Sequence, residues 1–397
     1  MSQYELRWYQ RIQWAAATVL IILPMLTLCL IPWTPLNKRT LLFSWGYAHN
    51  TGICITAGYH RLWSHQSYNA SWPLKLYLAI FGAAAMEGPI LWWARKHRAH
   101  HRYTDTDEDP YSVKDGLLHA HFLWIVFKQR RRTRYVDSSD LEADPIVQWQ
   151  YRHFPVLAIL MGWVFPMVII GVLFEDWIGG FVYGAILKMV YVHHSTFCIN
   201  SLAHSLGERP YDDRATPCDN LFASLLTMGE GYHNFHHTFP SDYRNGVRWY
   251  QYDCTKWVIA IWEKLGLAYE LKRVQQTEIE RARLQELGKA LTQQMKVLPQ
   301  GEPLQSLPVM GWSEYQQLSK NGKAMVALDG IIHDVSGFIA EHPGGQKLMQ
   351  GFIGKDATAA FNGGIYSHSK VARNILPFTR SGSVNHTVVY IKQPVPS

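Results

Sequence analysis

Four long apolar segments constrain this chain more than any other feature of its sequence. They cover residues 14–33, 41–59, 154–174 and 177–200, and an α-helix needs roughly 20 apolar residues to cross a bilayer. Residues 34–40 join the first two segments, and only Glu175 and Asp176 separate the last two. Each pair therefore forms a hairpin that enters and leaves the membrane on one face, which predicts that the rest of the chain shares a single side.

The distribution of charge predicts which side that is. Lysine and arginine are abundant between the two hairpins, whereas the connection 34–40 carries only Lys38 and Arg39. By the positive-inside rule, the N-terminus, the region between the hairpins and the C-terminal third are predicted to face the cytosol. A fifth apolar stretch, residues 74–93, is interrupted by charged residues, Gly and Pro, and is predicted to be an interfacial helix. The five cysteines show no C-x-x-C pair and predict no disulfide framework.

Histidine is the second informative residue type, because several of the 19 histidines occur in short motifs. The motifs are H-R-L-W-S-H (His60, His65), H-R-A-H-H (His97, His100, His101), N-S-L-A-H (Asn200, His204) and H-N-F-H-H (His233, His236, His237). On a helix, residues i, i+3 and i+4 share a face, so each H-x-x-H-H offers two or three imidazoles to one point. His60 and His65 would point apart on a continuous helix, so the helix is predicted to end between them.

These motifs predict a dinuclear metal site. One ion accepts at most about six ligands, fewer than the nine imidazoles and one amide available here, so two ions fit better than one. Imidazole suits iron, zinc, copper or nickel, and spacing alone leaves that choice open. Eight further histidines are predicted to be exposed or to be satisfied within the core. They are His49, His119, His121, His153, His193, His194, His333 and His386.

The order of the four motifs resembles that of the integral-membrane acyl-CoA desaturases, in particular the Δ9 type, over residues 10–265. The resemblance implies an α-helical membrane protein, in which four transmembrane helices carry a cytosolic helical cap that holds two non-haem iron ions. It also implies dioxygen as co-substrate, and it implies that Asn200 acts through a water molecule. Iron agrees with the chemistry, because dehydrogenation of an unactivated methylene requires a redox-active metal.

The same resemblance implies a fatty acyl-CoA substrate. Trp93 and Arg95 match family positions that meet the substrate, and Lys128, followed by Arg130, Arg131 and Arg132, is a candidate for binding phosphates. The arginine run is equally compatible with anionic lipid. Animal members carry Asn and Asp where this chain has Gly88 and Lys96, so one headgroup contact is not carried over.

The C-terminal segment contains H-P-G-G, preceded by I-H-D-V-S-G-F-I-A-E and followed by Y-S-H-S. This pattern resembles the haem-binding segment of cytochrome b5. The resemblance implies haem b with His342 and His368 as axial ligands, in a pocket walled by Phe338, Phe352 and Phe361. It also implies an NADH-cytochrome b5 reductase as upstream partner, since the chain has no nicotinamide or flavin fingerprint of its own.

The predicted organisation is a membrane desaturase domain (1–262), a helical linker (263–308), a small α+β cytochrome b5-like domain (309–390) and a tail (391–397). The expected function is oxygen-dependent Δ9 desaturation of stearoyl-CoA or palmitoyl-CoA at the endoplasmic reticulum membrane, with no nucleic-acid partner. One alternative is a di-iron acyl-lipid desaturase or hydroxylase of another regiospecificity. Another is an electron carrier or membrane anchor whose histidine centre is no longer active.

Overall fold

The computed structural model describes residues 7–128 and 134–384, which form two compact units divided between Gly288 and Lys289. Arg130 to Arg132, His386 and the 391–397 tail lie outside the described residues. The main helices of the first unit are α1 (Trp14–Trp33), α2 (Lys38–Ile53), α3 (Trp72–Ala83), α4 (Ile90–Tyr103), α5 (Ser139–Ala143), α6 (Pro145–Phe174), α7 (Lys188–Ser201), α8 (Leu221–Leu226), α9 (His233–Thr238) and α10 (Cys254–Lys264). The division between the units falls within a further helix, α11 (Gln276–Val297).

Two of these helices, α1 and α6, are long and apolar enough to cross a membrane by length and composition. Helix α6 begins at Pro145, where the Asp144 side chain accepts hydrogen bonds from the first free backbone N–H groups. The predicted segments 41–59 and 177–200 are also helical. Both carry polar residues, such as Asn50 in α2 and Lys188 in α7, which lower their mean hydropathy. The structure therefore shows two of the four predicted spans by this criterion.

Helix α2 continues beyond Ile53 in widened π-helical turns, Cys54–Ser64. The His65 N–H donates to the His60 carbonyl at 3.1 Å, an i→i+5 hydrogen bond. The extra residue in this turn places the two imidazole rings together, with centroids 4.8 Å apart. The helix ends between the two histidines, at Ser64, as predicted, and the π-helical geometry of its last turns brings the two rings together. Turns of this kind are frequent at functional sites.

The prediction of one interfacial helix over residues 74–93 was wrong. Helix α3 ends at Ala83 and α4 begins at Ile90. Between them, Gly88 adopts a φ of +96°, a left-handed conformation that glycine tolerates best. Pro89 then precedes the first turn of α4 in an extended conformation. The break gives α4, which carries the second histidine motif, a direction independent of α3.

The predicted linker is helical only in part. Helix α11 begins at Gln276, and the preceding residues include strand β2 (Ala268–Tyr269), which pairs antiparallel with β1 (Asn69–Ala70). The Lys272 N–H also donates to the Ser67 carbonyl at 2.8 Å. Residues 267–272 are therefore tied to the chain segment that follows the first histidine motif.

The second unit combines helices with a small sheet, in agreement with the predicted α+β class. Its four strands have the order β3–β6–β5–β4 in the sheet. A two-residue turn, Asp329 and Gly330, joins β4 to β5. Both turn residues have positive φ, as in a type I′ hairpin. The strands are β3 (Val309–Met310), β4 (Met325–Leu328), β5 (Ile331–Asp334) and β6 (Arg380–Val384). The helices are α12 (Trp312–Lys320), α13 (Gln346–Gln350), α14 (Thr358–Phe361) and α15 (Lys370–Thr379).

Candidate metal centre

The nine motif histidines form two adjacent clusters in the first unit. Within each cluster, the potential ligand atoms all lie within 4.8 Å of one another. The five-histidine cluster consists of His60, His65, His97, His101 and His236. The four-histidine cluster consists of His100, His204, His233 and His237. The number of clusters agrees with the prediction of two metal ions.

Each H-x-x-H-H motif serves both clusters. In α4, His97 and His101 belong to the five-histidine cluster and His100 belongs to the other. In α9 the division is reversed, since His233 and His237 belong to the four-histidine cluster and His236 does not. A rotation of 100° per residue places positions i and i+4 about 40° apart, whereas i+3 lies about 60° away on the other side of i. The two helices thus bridge the two sites in complementary ways.

Hydrogen bonds behind the rings direct the Nε2 atoms inward. In the four-histidine cluster, the His100 Nδ1 lies 2.9 Å from an Asp109 carboxylate oxygen. The His204 Nδ1 lies 2.8 Å from the Thr216 hydroxyl, which itself donates to Asp105. Both rings therefore carry their proton on Nδ1, since neither partner has a proton to give.

The resulting arrangement fits a metal ion. The His100 and His204 Nε2 atoms, both left with lone pairs, face each other at 3.2 Å. Two lone pairs this close repel, whereas a cation bound by both nitrogens removes the repulsion. In the five-histidine cluster, the His60 Nε2 likewise lies 2.9 Å from that of His236. Convergent neutral imidazoles, each with its other ring nitrogen donating to an acceptor in the protein, are typical of metal sites.

Burial keeps seven of the nine rings neutral, as metal binding requires. Desolvation, followed by repulsion from neighbouring imidazoles, lowers the pKa of His233 to about 3. The same causes lower the pKa of six further ligands well below the usual histidine range. These ligands are His65, His97, His101, His204, His236 and His237.

A buried charged network lies behind the five-histidine cluster. The His60 Nδ1 is 3.0 Å from Glu230 Oε2, and the Arg61 guanidinium donates to Glu230 and to Asp253. Asn245 also donates to Glu230, at 2.6 Å. Burial raises the pKa of the Glu230 carboxyl, but the charge of Arg61 and the hydrogen bonds from Arg61 and His60 outweigh it and lower that pKa to about 2. Glu230 thus stays a carboxylate that fixes the orientation of the His60 ring.

A small cavity, of about 50 Å³, lies beside the clusters. His60 and His97 line it, together with Asn200 and Trp93. The Trp93 ring stacks on that of His97, with centroids 5.1 Å apart. Trp93 and Asn200 therefore lie next to the candidate metal ligands. Trp93 needs this position if it contacts the substrate, and Asn200 needs it if it acts on a metal ion through a water molecule.

The structure does not bring the other two predicted substrate residues to this cavity. The Arg95 side chain pairs with Glu142 and donates to the Ser138 hydroxyl. The backbone N–H of Lys128 donates to the Arg11 carbonyl at 2.8 Å, and the Lys128 side chain is exposed. Arg95 and Lys128 stay predictions for the binding of a headgroup outside the cavity.

The second unit contains a larger cavity, of about 660 Å³, within the usual range of cofactor pockets. His342 and His368 line it, as do the three predicted phenylalanines. The rings of His342 and His368 have centroids 6.2 Å apart, which leaves room for one ion bonded at about 2 Å to a nitrogen of each ring. The His368 Nδ1 lies 3.0 Å from the Phe361 carbonyl, and the buried His342 Nδ1 has no hydrogen-bond partner within the described residues. The pocket fits a haem with two axial histidines.

Sequence reasoning missed the residues behind the ligands, notably Asp105, Asp109, Thr216 and Glu230. A local signal existed for some of them. Asp105 and Asp109 follow the second motif in T-D-T-D-E-D-P, and Glu230 precedes the last motif in E-G-Y-H. Acidic residues next to histidine motifs are candidates for orienting the ligands.

Comparison with known proteins agrees with this geometry. Residues 39–272 match the family described as "Fatty acid desaturase", and residues 311–385 match the "Cytochrome b5-like Heme/Steroid binding domain". The chain is 47% identical over 370 residues to the "Probable acyl-CoA desaturase" of Schizosaccharomyces pombe, covering 93% of this chain and 77% of that protein. It is 44% identical over 372 residues to "Acyl-CoA desaturase 1" of Saccharomyces cerevisiae, covering 93% of this chain and 73% of that protein.

A human relative, "Stearoyl-CoA desaturase 5", is 35% identical over 279 residues, or 68% of this chain and 84% of that protein. The match to the desaturase family spans more than half of the chain, and the fungal matches extend through the second unit. The chain therefore belongs to the fatty acid desaturase family.

Proposed function

We propose that this chain is an acyl-CoA Δ9-desaturase, which introduces a double bond into a saturated fatty acyl-CoA with electrons delivered through its own cytochrome b5 domain. The observation that carries the proposal is the division of nine histidines into two adjacent clusters in a chain that also has a two-histidine haem pocket. The identity of 44–47% to proteins named acyl-CoA desaturases supports the substrate class.

The candidate ligands for two non-haem irons are the nine clustered histidines, with Asn200 acting through water. Bound iron supplies the redox chemistry by which dioxygen and two electrons remove hydrogen from an unactivated methylene. Glu230, Asp109 and Thr216 each hold one imidazole ring in the tautomer that leaves Nε2 free for metal. These rings are, in the same order, those of His60, His100 and His204. Trp93, stacked on His97, borders the cavity in which the acyl methylene would lie.

The cytochrome b5 unit would supply the electrons one at a time. His342 and His368 are the proposed axial ligands of haem b. Covalent attachment through helix α11 raises the local concentration of the donor near the metal centre. An NADH-cytochrome b5 reductase is the proposed source of those electrons.

The proposal extends to location. Helices α1 and α6, with the more polar segments 41–59 and 177–200, would form two transmembrane hairpins in the endoplasmic reticulum. The N-terminus, the histidine clusters and the haem unit would all face the cytosol, together with Arg95 and Lys128 as contacts for the coenzyme A headgroup. The proposed domains are 1–262, 263–308 and 309–390, with a tail at 391–397.

The test is a fatty-acid profile, with double-bond positions, from yeast that lacks its own Δ9 desaturase and expresses this chain. The wild type should produce Δ9 monoenes, and His236→Ala should not, because His236 contacts both His60 and His101 through Nε2. His153→Ala is the matched control, since His153 is exposed and lies outside both clusters. Hydroxylated or differently placed products from the wild type would refute the Δ9 assignment.

A further inference from the structure

The groups behind the two histidine clusters differ in charge, although each cluster contains one histidine that is hydrogen-bonded to a carboxylate. In the five-histidine cluster, Glu230 backs His60. In the four-histidine cluster, Asp109 backs His100. All four side chains are buried. The surroundings of the two carboxylates determine how much negative charge each metal position experiences.

Buried cations balance the negative charge of Glu230. Arg61 donates to it at 2.6 Å and to Asp253 at 2.9 Å, and these three side chains are no more than 1% exposed. Lys256, also buried, lies close enough to Asp253 for their charges to interact. Two acids thus face two cations, and the network adds little net charge behind His60.

Asp109 has no such compensation. Its oxygens accept hydrogen bonds from the backbone N–H groups of Tyr111 and Asp105, at 3.1 and 3.0 Å, in addition to the His100 Nδ1. Both of these backbone donors are neutral. Over residues 7–128 and 134–384, neither Asp109 nor Asp105 forms an ion pair with lysine or arginine.

A second carboxylate acts on the same cluster through a hydroxyl. Thr216 accepts from the His204 Nδ1 at 2.8 Å and donates to Asp105 at 2.7 Å. Lys114 lies on this side, but it is exposed and donates to the backbone carbonyl of Asp105. Solvent screens a charge in that position. The four-histidine cluster is therefore backed by two carboxylates that no buried cation neutralises.

From this asymmetry we infer that Asp109 and Asp105 make the two metal positions electronically unequal, so that the ion at the four-histidine cluster reaches the higher oxidation state first. Negative charge held behind an imidazole increases the electron density at its Nε2 and stabilises the more positive metal ion. The surplus of negative charge also offsets the smaller number of histidines. The inference rests on the proposed function, because it requires two bound irons.

The test uses the full-length protein, loaded with ⁵⁷Fe(II) and oxidised stepwise with ferricyanide, which accepts one electron for each Fe(II) converted to Fe(III), with Mössbauer spectra recorded at each step. The wild type should show two ferrous signals, one of which is oxidised first. Asp109→Asn removes the charge but keeps an oxygen that can accept from His100, so it should shift that first signal and abolish its precedence. It should also weaken binding of one of the two ferrous ions by about 10- to 100-fold in a chelator competition.

Tyr111→Phe is the matched variant for the other cluster. Tyr111 places its hydroxyl, an uncharged partner, 3.2 Å from the His97 Nδ1. Loss of this hydroxyl should perturb the Mössbauer signal of the ion at the five-histidine cluster and leave the order of oxidation unchanged. Asp105→Asn provides a second test of the charge if Asp109→Asn does not fold, since asparagine tolerates the positive φ of 64° at that position.

The outcomes separate this inference from the proposed function. Fewer than two non-haem irons in the wild type would overturn both. Two irons that are oxidised together would overturn the inference alone, as would first oxidation of the signal that Tyr111→Phe perturbs.

Discussion

Arg61 and Glu230 form a fully buried ion pair, with 2.6 Å between Nη2 and Oε1, directly behind the metal-facing His60. Because Asp253 shares the same guanidinium, removal of Arg61 would leave two carboxylates in the interior without their main partner. Breaking a buried pair in this way typically costs about 3–5 kcal/mol. The H-R sequence at the start of the first motif thus supplies one candidate metal ligand and the cation that holds its support.

Arg61→Met should therefore lower the free energy of unfolding of the metal-free protein by about 3–5 kcal/mol. The measurement is equilibrium unfolding in detergent micelles, followed by tryptophan fluorescence. Arg214→Met is the control, because Arg214 forms its ion pair with Asp212 at the surface and should leave the unfolding midpoint unchanged. Equal effects of the two substitutions would contradict a structural role for the buried network.

The histidine clusters predict how stability depends on pH. Burial lowers the pKa of His233 to about 3, whereas an unfolded histidine titrates near 6.5. As the pH falls below about 6.5, the unfolded chain takes up protons on His233 and on the six further cluster histidines with lowered pKa, and the folded chain does not. Acid therefore favours unfolding, and stability present above that pH is progressively lost.

The unfolding temperature of the metal-free protein should accordingly fall between pH 7.5 and pH 5. The variant His233→Gln should show a shallower fall, since one of the suppressed titrations is missing. The measurement is differential scanning fluorimetry at a series of pH values. An unfolding temperature independent of pH in this interval, for the wild type, would refute the assignment of neutral, buried rings.

The haem pocket predicts a spectroscopic result. Both His342 and His368 face the cavity, so substitution of either should abolish the low-spin absorption spectrum of a haem with two axial histidines. In His368→Gly, added imidazole should restore that spectrum, because the substitution leaves a space of the size of the lost ring. Lys370→Ala changes a neighbouring exposed residue that does not line the cavity and should retain the wild-type spectrum. A normal spectrum from either histidine variant would exclude that residue as an axial ligand.

The histidine motifs were predictable from the sequence because helical periodicity is local. Spacing alone brings His97 and His101 to one side of α4, and the structure places both in one cluster. The position of His65 was harder to predict, because the π-helical turn before it depends on backbone hydrogen bonds that spacing does not reveal. The assignment of His100 and His236 to opposite clusters required the relative orientation of α4 and α9, which is a tertiary property.

The residues that orient the histidine ligands were not predictable from the sequence for a similar reason. Glu230 meets His60 only once α9 packs against the end of the first hairpin, and Thr216 meets His204 through a loop. Only two of the four predicted spans are long and apolar enough in the described residues, for a different physical reason. Segments whose polar side chains hydrogen-bond inside the protein, such as the one with Asn50, which accepts from Tyr77, or the one with Lys188, which donates to the Ala84 carbonyl, have a lower mean hydropathy. Helix length and mean hydropathy therefore identify α1 and α6, which carry fewer such residues.

The last prediction concerns topology, through the sequon Asn69-Ala70-Ser71. Asn69 is exposed in β1, close to the first histidine motif, and it would be available to glycosylation enzymes if this face were lumenal. The proposed cytosolic orientation predicts that the protein expressed in yeast shows no change in mobility after endoglycosidase treatment. As a positive control, a long insert that carries a sequon, placed between Leu36 and Asn37, should be glycosylated, because the proposed topology places that connection in the lumen. A sugar on Asn69 would reverse the orientation of the histidine clusters, and with it the access of a cytosolic reductase to the haem unit.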